Sequence, residues 1–370
     1  MGFVRRQIKF VSFQKSEHEQ SRISQPINRK GSNMQNIVKN ITSIVPRNIS
    51  YCDVGARWGI EEPWKSFRAI IDFISFEPDK EEYELLLKNK GDRDNIYSYA
   101  LYSEKKELSL NLTKSRGCSS LYKPNIEFLK HYPDSERFSV ENTISVEATS
   151  LDHLDEEKIL SDMDFIKIDV QGAELDILKG GKDFLNRNIL GIQVEVEFQS
   201  MYQNQPLFSD VDTFVRNSLG LQIQDIRKSY WKYSDGINIG SPKGQLIFGD
   251  ALYFRPPQEV LSWCQHLDRD QAVSKLHMAC LMGVIYGYLD YSLCLLNQAS
   301  IGDYFEEAVI NEWKSLLYQH GKSLHQSSRG ARVASSLFKY LYRMFQPTHG
   351  GWSTNDGHNL GTRKRFGLFT

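Results

Sequence analysis

The chain lacks most of the features that place a protein quickly. Its five cysteines, Cys52, Cys118, Cys264, Cys280 and Cys294, form no CxxC pair and have no paired histidine. Neither a zinc site nor a disulfide framework follows, and a reducing, cytoplasmic setting is the expectation. No charge of either sign dominates: 45 Lys and Arg face 46 Asp and Glu, for a net charge of -1. That balance points away from nucleic acid and away from a disordered chain. The first residues are basic with no apolar core behind them, so no secretory signal is expected, and Arg6 stands where myristoylation needs Ser or Thr. The dinucleotide fingerprint Gly-x-Gly-x-x-Gly is missing as well. Where it should begin the chain has Asp53, and where it should end it has Trp58.

What is present is a different cofactor layout. Ile49-Ser-Tyr-Cys-Asp53 is a short apolar strand that runs into Val54-Gly55-Ala56-Arg57-Trp58-Gly59. One helix length and a second apolar run later comes Phe76-Glu77-Pro78. Glycines let backbone approach a ligand, and an acid at the tip of the second strand accepts hydrogen bonds from ribose hydroxyls. A carboxylate in place of the first glycine suits a cationic or amine-bearing ligand better than a pyrophosphate. S-adenosylmethionine carries both a sulfonium and an ammonium.

The rest of the chain supports an α/β sheet. After a polar, basic extension over residues 1–32, apolar residues from Met34 to Val45 recur at helical spacing until Pro46. Strands are expected at Ile49–Val54, Ile70–Phe76 and Asn95–Tyr102, with helices at Glu61–Ala69 and from Pro78 to Leu87. Period-two alternation in Glu107–Leu112 and Thr143–Ala148 marks two half-exposed strands of an insertion over the sheet. The rhythm resumes with Asp164–Asp169, a helix closed by Gly180-Gly181, a strand Gly191–Val196, a helix Asp210–Leu219 and a strand Leu221–Ile226. Gln245–Phe248 and Ala251–Phe254 read as antiparallel edge strands. Short loops between alternating strands and helices give a doubly wound, mostly parallel sheet. Arg255-Pro256-Pro257 ends that pattern, so we divide the chain into the extension 1–32, a domain over 33–256 and a helical region over 257–370. Met278–Leu296 is apolar apart from Asp290, and a buried bundle helix is favoured over a membrane span.

Asp164-Phe-Ile-Lys167-Ile-Asp169-Val-Gln171-Gly172-Ala-Glu174 delivers another acid to a strand tip, where such sheets bind ligands. At this point the chain resembles the FkbM family of S-adenosylmethionine-dependent methyltransferases. The resemblance spans roughly residues 49–256 and rests on an ordered series: Asp53-Val-Gly55-Ala, Phe76-Glu77-Pro78, Ala100-Leu101-Tyr-Ser103, Gly117-Cys-Ser119-Ser-Leu121, Thr149-Ser-Leu151-Asp152, Ile168-Asp169-Val-Gln-Gly172-Ala-Glu174 and Gly249–Phe254. Two positions depart from it, Arg57 where the family usually has Asn and Gln171 where it usually has Glu.

The resemblance implies a class I, Rossmann-like methyltransferase sheet of seven strands, here with a C-terminal helical appendage. It also implies methylation, usually of a hydroxyl on a sugar or secondary metabolite. Asp53, Gly55, Ala56, Gly59, Glu77, Ala100, Leu101 and Asp169 are the expected S-adenosylmethionine contacts. Candidate bases for the acceptor hydroxyl are Asp169, Glu195 and His131, in that order, with His153 also considered. A divalent metal on Asp169 and Glu195 is an open alternative, and no metal site is assigned. The expected partner is a glycan or small-molecule hydroxyl acceptor. The basic termini, with Arg5, Arg6 and Lys9 at one end and Arg363, Lys364 and Arg365 at the other, suit a peripheral membrane or glycan-assembly contact, and a homodimer is compatible. An NAD-type reductase and a catalytically idle scaffold of the same fold are the competing readings.

Overall fold

The computed structural model describes residues 31–160, 162–239, 244–301, 304–325 and 351–356. The basic stretch before residue 31 and the basic residues from Arg329 onward lie outside them. Four parallel strands form the centre: β1 (Ile49–Val54), β2 (Ile71–Phe76), β7 (Phe165–Ile168) and β8 (Gly191–Glu197). With β3 (Asp94–Tyr97), β9 (Gln222–Trp231), β10 (Gln245–Phe254) and β11 (Ser353–Asn355) they make an eight-stranded sheet in the order β11-β9-β10-β8-β7-β1-β2-β3. The chain leaves β3 at one edge and re-enters at β7 on the other side of β1. That reversal opens a crevice above the C-terminal tips of β1 and β7, the place where such sheets take ligands.

Four expectations change here. Gln245–Phe254 is one strand inside the sheet, antiparallel to both β8 and β9, because β9 supplies a second ladder and β11 then covers β9. The sheet therefore has eight strands rather than seven. Asn95–Tyr102 is not continuous: β3 stops at Tyr97, and Ala100–Leu101 becomes β4 of a second sheet, paired with β6 (Val140–Thr149), which in turn pairs with β5 (Lys106–Thr113). These three strands are the insertion. The segment expected as helix Glu61–Ala69 is a 3-10 helix, Trp64–Ile70.

Strand periodicity sorts the two faces of the sheet. On one face Cys52, Ile74, Ile166, Val194 and Tyr253 pack against α4 (Leu151–Glu156), α5 (Glu174–Gly180), α6 (Lys182–Asn188) and α7 (Phe208–Leu219). On the other, Tyr51, Phe73, Phe165, Leu252 and Phe254 share one core with α1 (Gly31–Ile44), α8 (Pro257–Cys264), α9 (Arg269–Tyr286), α10 (Leu289–Ile301) and α11 (Glu307–His325). Two residues further toward the ligand end, the same face turns polar: Asp53, Ser75, Lys167, Glu195 and Asp250. Tyr286 marks the boundary, its hydroxyl accepting from Trp64 Nε1 at 3.0 Å and donating to Gln193 Oε1 at 3.0 Å.

The apolar run Met278–Leu296 is two helices rather than one. Gly287 ends α9 in the left-handed region, φ 81°, and α10 returns against it. A side chain at Gly283 would meet Ser292 Oγ at 2.3 Å, so glycine permits the close approach. Every residue of α9 from Lys275 to Tyr286 is buried, as a helix apolar all round requires. No helix among the described residues is long and apolar enough to cross a membrane.

The dock of α9 on the sheet contains one buried charge cluster. Asp164, wholly buried, accepts from Arg47 Nη2 at 2.8 Å and Nη1 at 2.5 Å, from Lys275 Nζ at 3.0 Å and from the Ser50 amide at 2.9 Å. Burial raises its pKa, but Lys275 and then Arg47 outweigh it, and the net value lies below that of an ordinary carboxyl. A depressed carboxyl adds stability above its unfolded value near pH 4, and loses it as pH falls through the folded value. Asp164→Asn should therefore cost about 3–5 kcal/mol at pH 7 in urea unfolding, because it strands two cations. A loss below about 1 kcal/mol would contradict this role for the cluster.

Candidate functional site

A cavity of about 380 Å³ opens at the polar end of the sheet. Asp53, Gly55, Ala56, Gly59, Glu77, Ala100, Leu101, Asp169 and Glu195 all line it. It is built by the loops after β1, β2 and β7, the β4 strand, and the insertion residues Leu110, Arg116, Gly117, Ser119 and Leu121. Trp58 stands at its mouth, 75% exposed, with its ring against Gly117. His131 is not among the lining residues. It is exposed, and its carbonyl receives the Ser234 amide at 2.9 Å, so the insertion folds over the sheet without bringing this imidazole in. His153 is also elsewhere, on α4 beside Lys105 and Glu156.

The first loop is held by backbone. Gly55 donates its amide to Phe76 O at 3.0 Å with φ 82°, and a Cβ there would sit 2.0 Å from the Asp169 carbonyl oxygen. Only glycine lets the tips of β1 and β7 approach this closely. Asp53 is 0% exposed, and neither carboxylate oxygen has a hydrogen-bond partner. Lys167 Nζ stands 3.5 Å from its Oδ1, and 3.9 Å from both Asp169 and Glu61. Burial pushes the Asp53 carboxyl up to about 6; Lys167 offsets part of that, and Asp169 adds to it.

Glu77 is 4% exposed and accepts the Asp79 amide at 2.9 Å on Oε1. Burial raises its pKa to about 7 against the opposing pull of the Asp79 amide and Arg57. Arg57, the residue that departs from the family pattern, lines the cavity. Its guanidinium bonds Asp79 at 3.1 Å and Glu82 at 3.2 Å, tying the glycine loop to α2 (Lys80–Lys88).

Deeper in, three glutamates crowd together. Glu174, Glu195 and Glu197 are buried, and their nearest carboxylate oxygens all lie within 4.8 Å of one another. Glu174 accepts from the amides of Val170 and Gly172 at 3.0 Å, while burial still raises its pKa to about 7. Burial first, and the neighbouring acids after it, raise Glu195 and Glu197 well above the ordinary range. Asp169 lies beside this group at the cavity wall. The space between Asp169 and Glu195 that a shared cation would need is taken by the Gln171 amide, which donates to both.

Two of these features were harder to read from sequence. Lys167 lies within the quoted motif but drew no role. The available signal was its place in an otherwise apolar strand, since a buried ammonium needs charge partners. Phe248 closes the cavity on the β10 side, and nothing at sequence level sets it apart from a core residue.

Known proteins agree with the geometry. Residues 53–221 match the family model described as the methyltransferase FkbM domain. Those residues are similar to the FkbM methyltransferase domain, and the match covers less than half of the chain. The match supports a methyltransferase reading of this domain. The chain is also similar to the 2-O-methyltransferase NoeI of Sinorhizobium fredii, at 26% identity over 196 residues, covering 50% of this chain and 79% of that protein. Among solved structures it is similar to a methyltransferase FkbM from Methylobacillus flagellatus, with TM-score 0.33, 14% identity, and 56% of this chain over 43% of that one. It is also similar to a magnesium protoporphyrin IX methyltransferase from Synechocystis, with TM-score 0.30, 8% identity, and 63% of this chain over 86% of that one. Likenesses this loose add nothing to the strand order described above.

The raised carboxyls give a sign that stability measurements can check. An acid whose folded pKa lies above its unfolded value binds its proton more tightly when folded, so stability falls as pH rises from about 4 toward 7. Glu77→Gln removes that loss and keeps an oxygen for the Asp79 amide. Without ligand, the variant should be more stable than the parent at pH 8 by on the order of 3 kcal/mol, from a rise of 4.5 to about 7, and equal to it near pH 4. Urea unfolding at the two pH values measures this, and a variant no more stable at pH 8 would refute it.

Proposed function

We propose that the chain is an S-adenosylmethionine-dependent O-methyltransferase acting on a hydroxyl of a sugar, glycan or glycosylated metabolite. The observation that carries the reading is Asp53: a buried carboxylate in the cavity with both oxygens lacking a hydrogen-bond donor. Lys167 Nζ faces it at 3.5 Å but is shared with Asp169 and Glu61, so the carboxylate keeps acceptor capacity for a further cationic or amine donor. The other residues fit the same ligand. Glu77 has acceptor capacity for two hydroxyls, and Phe76, Tyr99, Ala100 and Leu101 offer an apolar wall for a flat base. A dinucleotide fits worse, since its pyrophosphate would meet acids where the Rossmann fingerprint offers glycine amides.

When bound, S-adenosylmethionine supplies a methyl group on a positively charged sulfur, already activated for transfer. The residues then have three tasks. Asp53 and Glu77 fix the orientation of the bound group. Asp169 and Glu195 stand at the tips of β7 and β8, where an acceptor hydroxyl can lose its proton to a carboxylate. Phe248 and Leu121 narrow the space left for water. Placement of this kind can lower a barrier by about 7–11 kcal/mol, and base catalysis adds about 10²–10⁴-fold.

The name of the NoeI relative supports hydroxyl methylation here. We retain residues 33–256 as the methyltransferase domain, with the region from 257 as its helical partner and a cytoplasmic setting. Calorimetry should show S-adenosylmethionine binding the folded chain, and Glu77→Gln should weaken it by about 1.5–3 kcal/mol. With methyl-labelled cofactor and a saccharide extract, label should enter an O-methylated product. Asp169→Asn should slow that transfer by about 10²–10⁴-fold. A folded chain that binds no S-adenosylmethionine would overturn the reading and favour an idle scaffold.

A further inference from the structure

We propose that Arg116 and Trp58 form a subsite at the cavity mouth for an anionic saccharide. The guanidinium takes a carboxylate or phosphate carried by the acceptor, and the indole lies against its sugar ring. The inference deepens the reading above and rests on it for the acceptor's class. Three cations line the cavity, Arg57, Arg116 and Lys167. Two are committed, Arg57 to Asp79 and Glu82, and Lys167 to Asp53, Glu61 and Asp169. Among the described residues the Arg116 guanidinium has neither an ion pair nor a hydrogen bond, and its Nη1 is buried without an acceptor. A buried donor left unpaired costs free energy, so the place calls for an oxygen that the chain does not supply. A carboxylate or phosphate meets that need best, because its oxygens match the guanidinium fork.

The turn that carries Arg116 is fixed by its own hydrogen bonds. Arg116–Cys118 is a 3-10 turn after β5, closed by the Ser119 amide on Arg116 O at 3.1 Å and the Cys118 amide on Ser115 O at 2.8 Å. Thr113 Oγ1 donates to Ser115 O at 2.7 Å, and the Ser115 amide to Arg137 O at 3.0 Å. Gly117 seats Trp58: a Cβ there would stand 3.4 Å from indole Cη2 and 3.8 Å from Cζ2. The indole thus rests on the residue next to Arg116 and brings an aromatic ring and an uncommitted cation to one rim. A lone exposed aromatic on a surface needs no explanation, but this one lines the cavity and is propped by that turn. Tryptophan and arginine are the side chains that most often carry binding energy, the indole through its broad apolar face. The cofactor reading leaves this rim open. There the wholly buried Asp53 takes the amine end, and an amino acid carries its carboxylate on the same carbon as its amine.

The test uses the full-length protein and reads the binding of three probes by ligand-observed NMR: glucuronate, glucose-6-phosphate and uncharged methyl glucoside. One anionic probe should bind about tenfold more tightly than methyl glucoside, the worth of one charge-assisted hydrogen bond, and added salt should shrink that margin. Glucuronate in front marks a carboxylate on the acceptor, and the sugar phosphate in front marks a phosphate. Arg116→Gln should bring the preferred probe down to the level of methyl glucoside, and Arg116→Lys, which keeps the charge without the fork, should keep part of the margin. Trp58→Ala should weaken the preferred probe by about threefold or more, and Trp58→Phe should restore most of it. S-adenosylmethionine affinity in Arg116→Gln should match the parent. No anionic preference in the parent, a preference that survives in folded Arg116→Gln, or an unchanged affinity in Trp58→Ala would overturn the proposal. So would weaker S-adenosylmethionine binding in Arg116→Gln with the sugar preference intact, which would give the guanidinium to the cofactor's carboxylate. The probes bind without methyl transfer, so a chain that takes no S-adenosylmethionine would sink the functional reading and leave this result standing.

Discussion

The site depends on a shortage of positive charge. Asp53, Glu77, Glu174, Glu195, Glu197 and Asp250 are all buried or nearly so, and the fold supplies too few cations to ionise them together at neutral pH. Lys167 answers part of the charge at Asp53 and Asp169, and Arg227 answers Asp250. The remainder is met by protons or by a ligand. A cavity of this kind is poised for a cationic guest, and without one it weakens the fold as pH rises. That is the usual trade between a preorganised site and stability.

The other half of the structure explains how such a site can be carried at all. Strand alternation puts Tyr51, Phe73 and Phe165 against α9 and leaves Asp53, Ser75 and Lys167 one pleat beyond the reach of its apolar cover. Burial of that helix from Lys275 to Tyr286 supplies hydrophobic stabilisation on the same face. Where a charge does enter this core, at Asp164, it is matched twice over by Arg47 and Lys275. Asp164 is closed by hydrogen bonds from Arg47, Lys275 and Ser50, while Asp53 has Lys167 beside it at 3.5 Å and no hydrogen-bond donor.

Much of this was legible in the sequence because it rests on local chemistry. The Asp53-Val-Gly55 turn, the acid after β2 and the acid after β7 each follow a short apolar strand, and strand geometry alone brings their tips together. The insertion strands showed as period-two alternation. Long-range partners were not legible. Gln245–Phe254 read as edge material because nothing local shows that β9 and β11 lie beyond it. Met278–Leu296 read as one helix because Gly287 looks like a packing glycine until its left-handed φ is known. His131 looked promising as a loop imidazole, and only the path of the insertion takes it out of the cavity. Gln171 read as a departure, while its amide bonds to Asp169 and Glu195 depend on Tyr202, thirty-one positions away.

The central claim is that the buried carboxyls are the receptor for a cationic cofactor, and proton release on binding tests it most directly. Wild-type protein should be titrated with S-adenosylmethionine at pH 6 to 8 in buffers of different ionisation heat. A cation that ionises Asp53 and Glu77, which titrate near about 6 and about 7, must expel protons, most at pH 6 and few at pH 8, with affinity falling toward the acid side. Binding with no proton release at pH 6 and an affinity independent of pH would contradict the account.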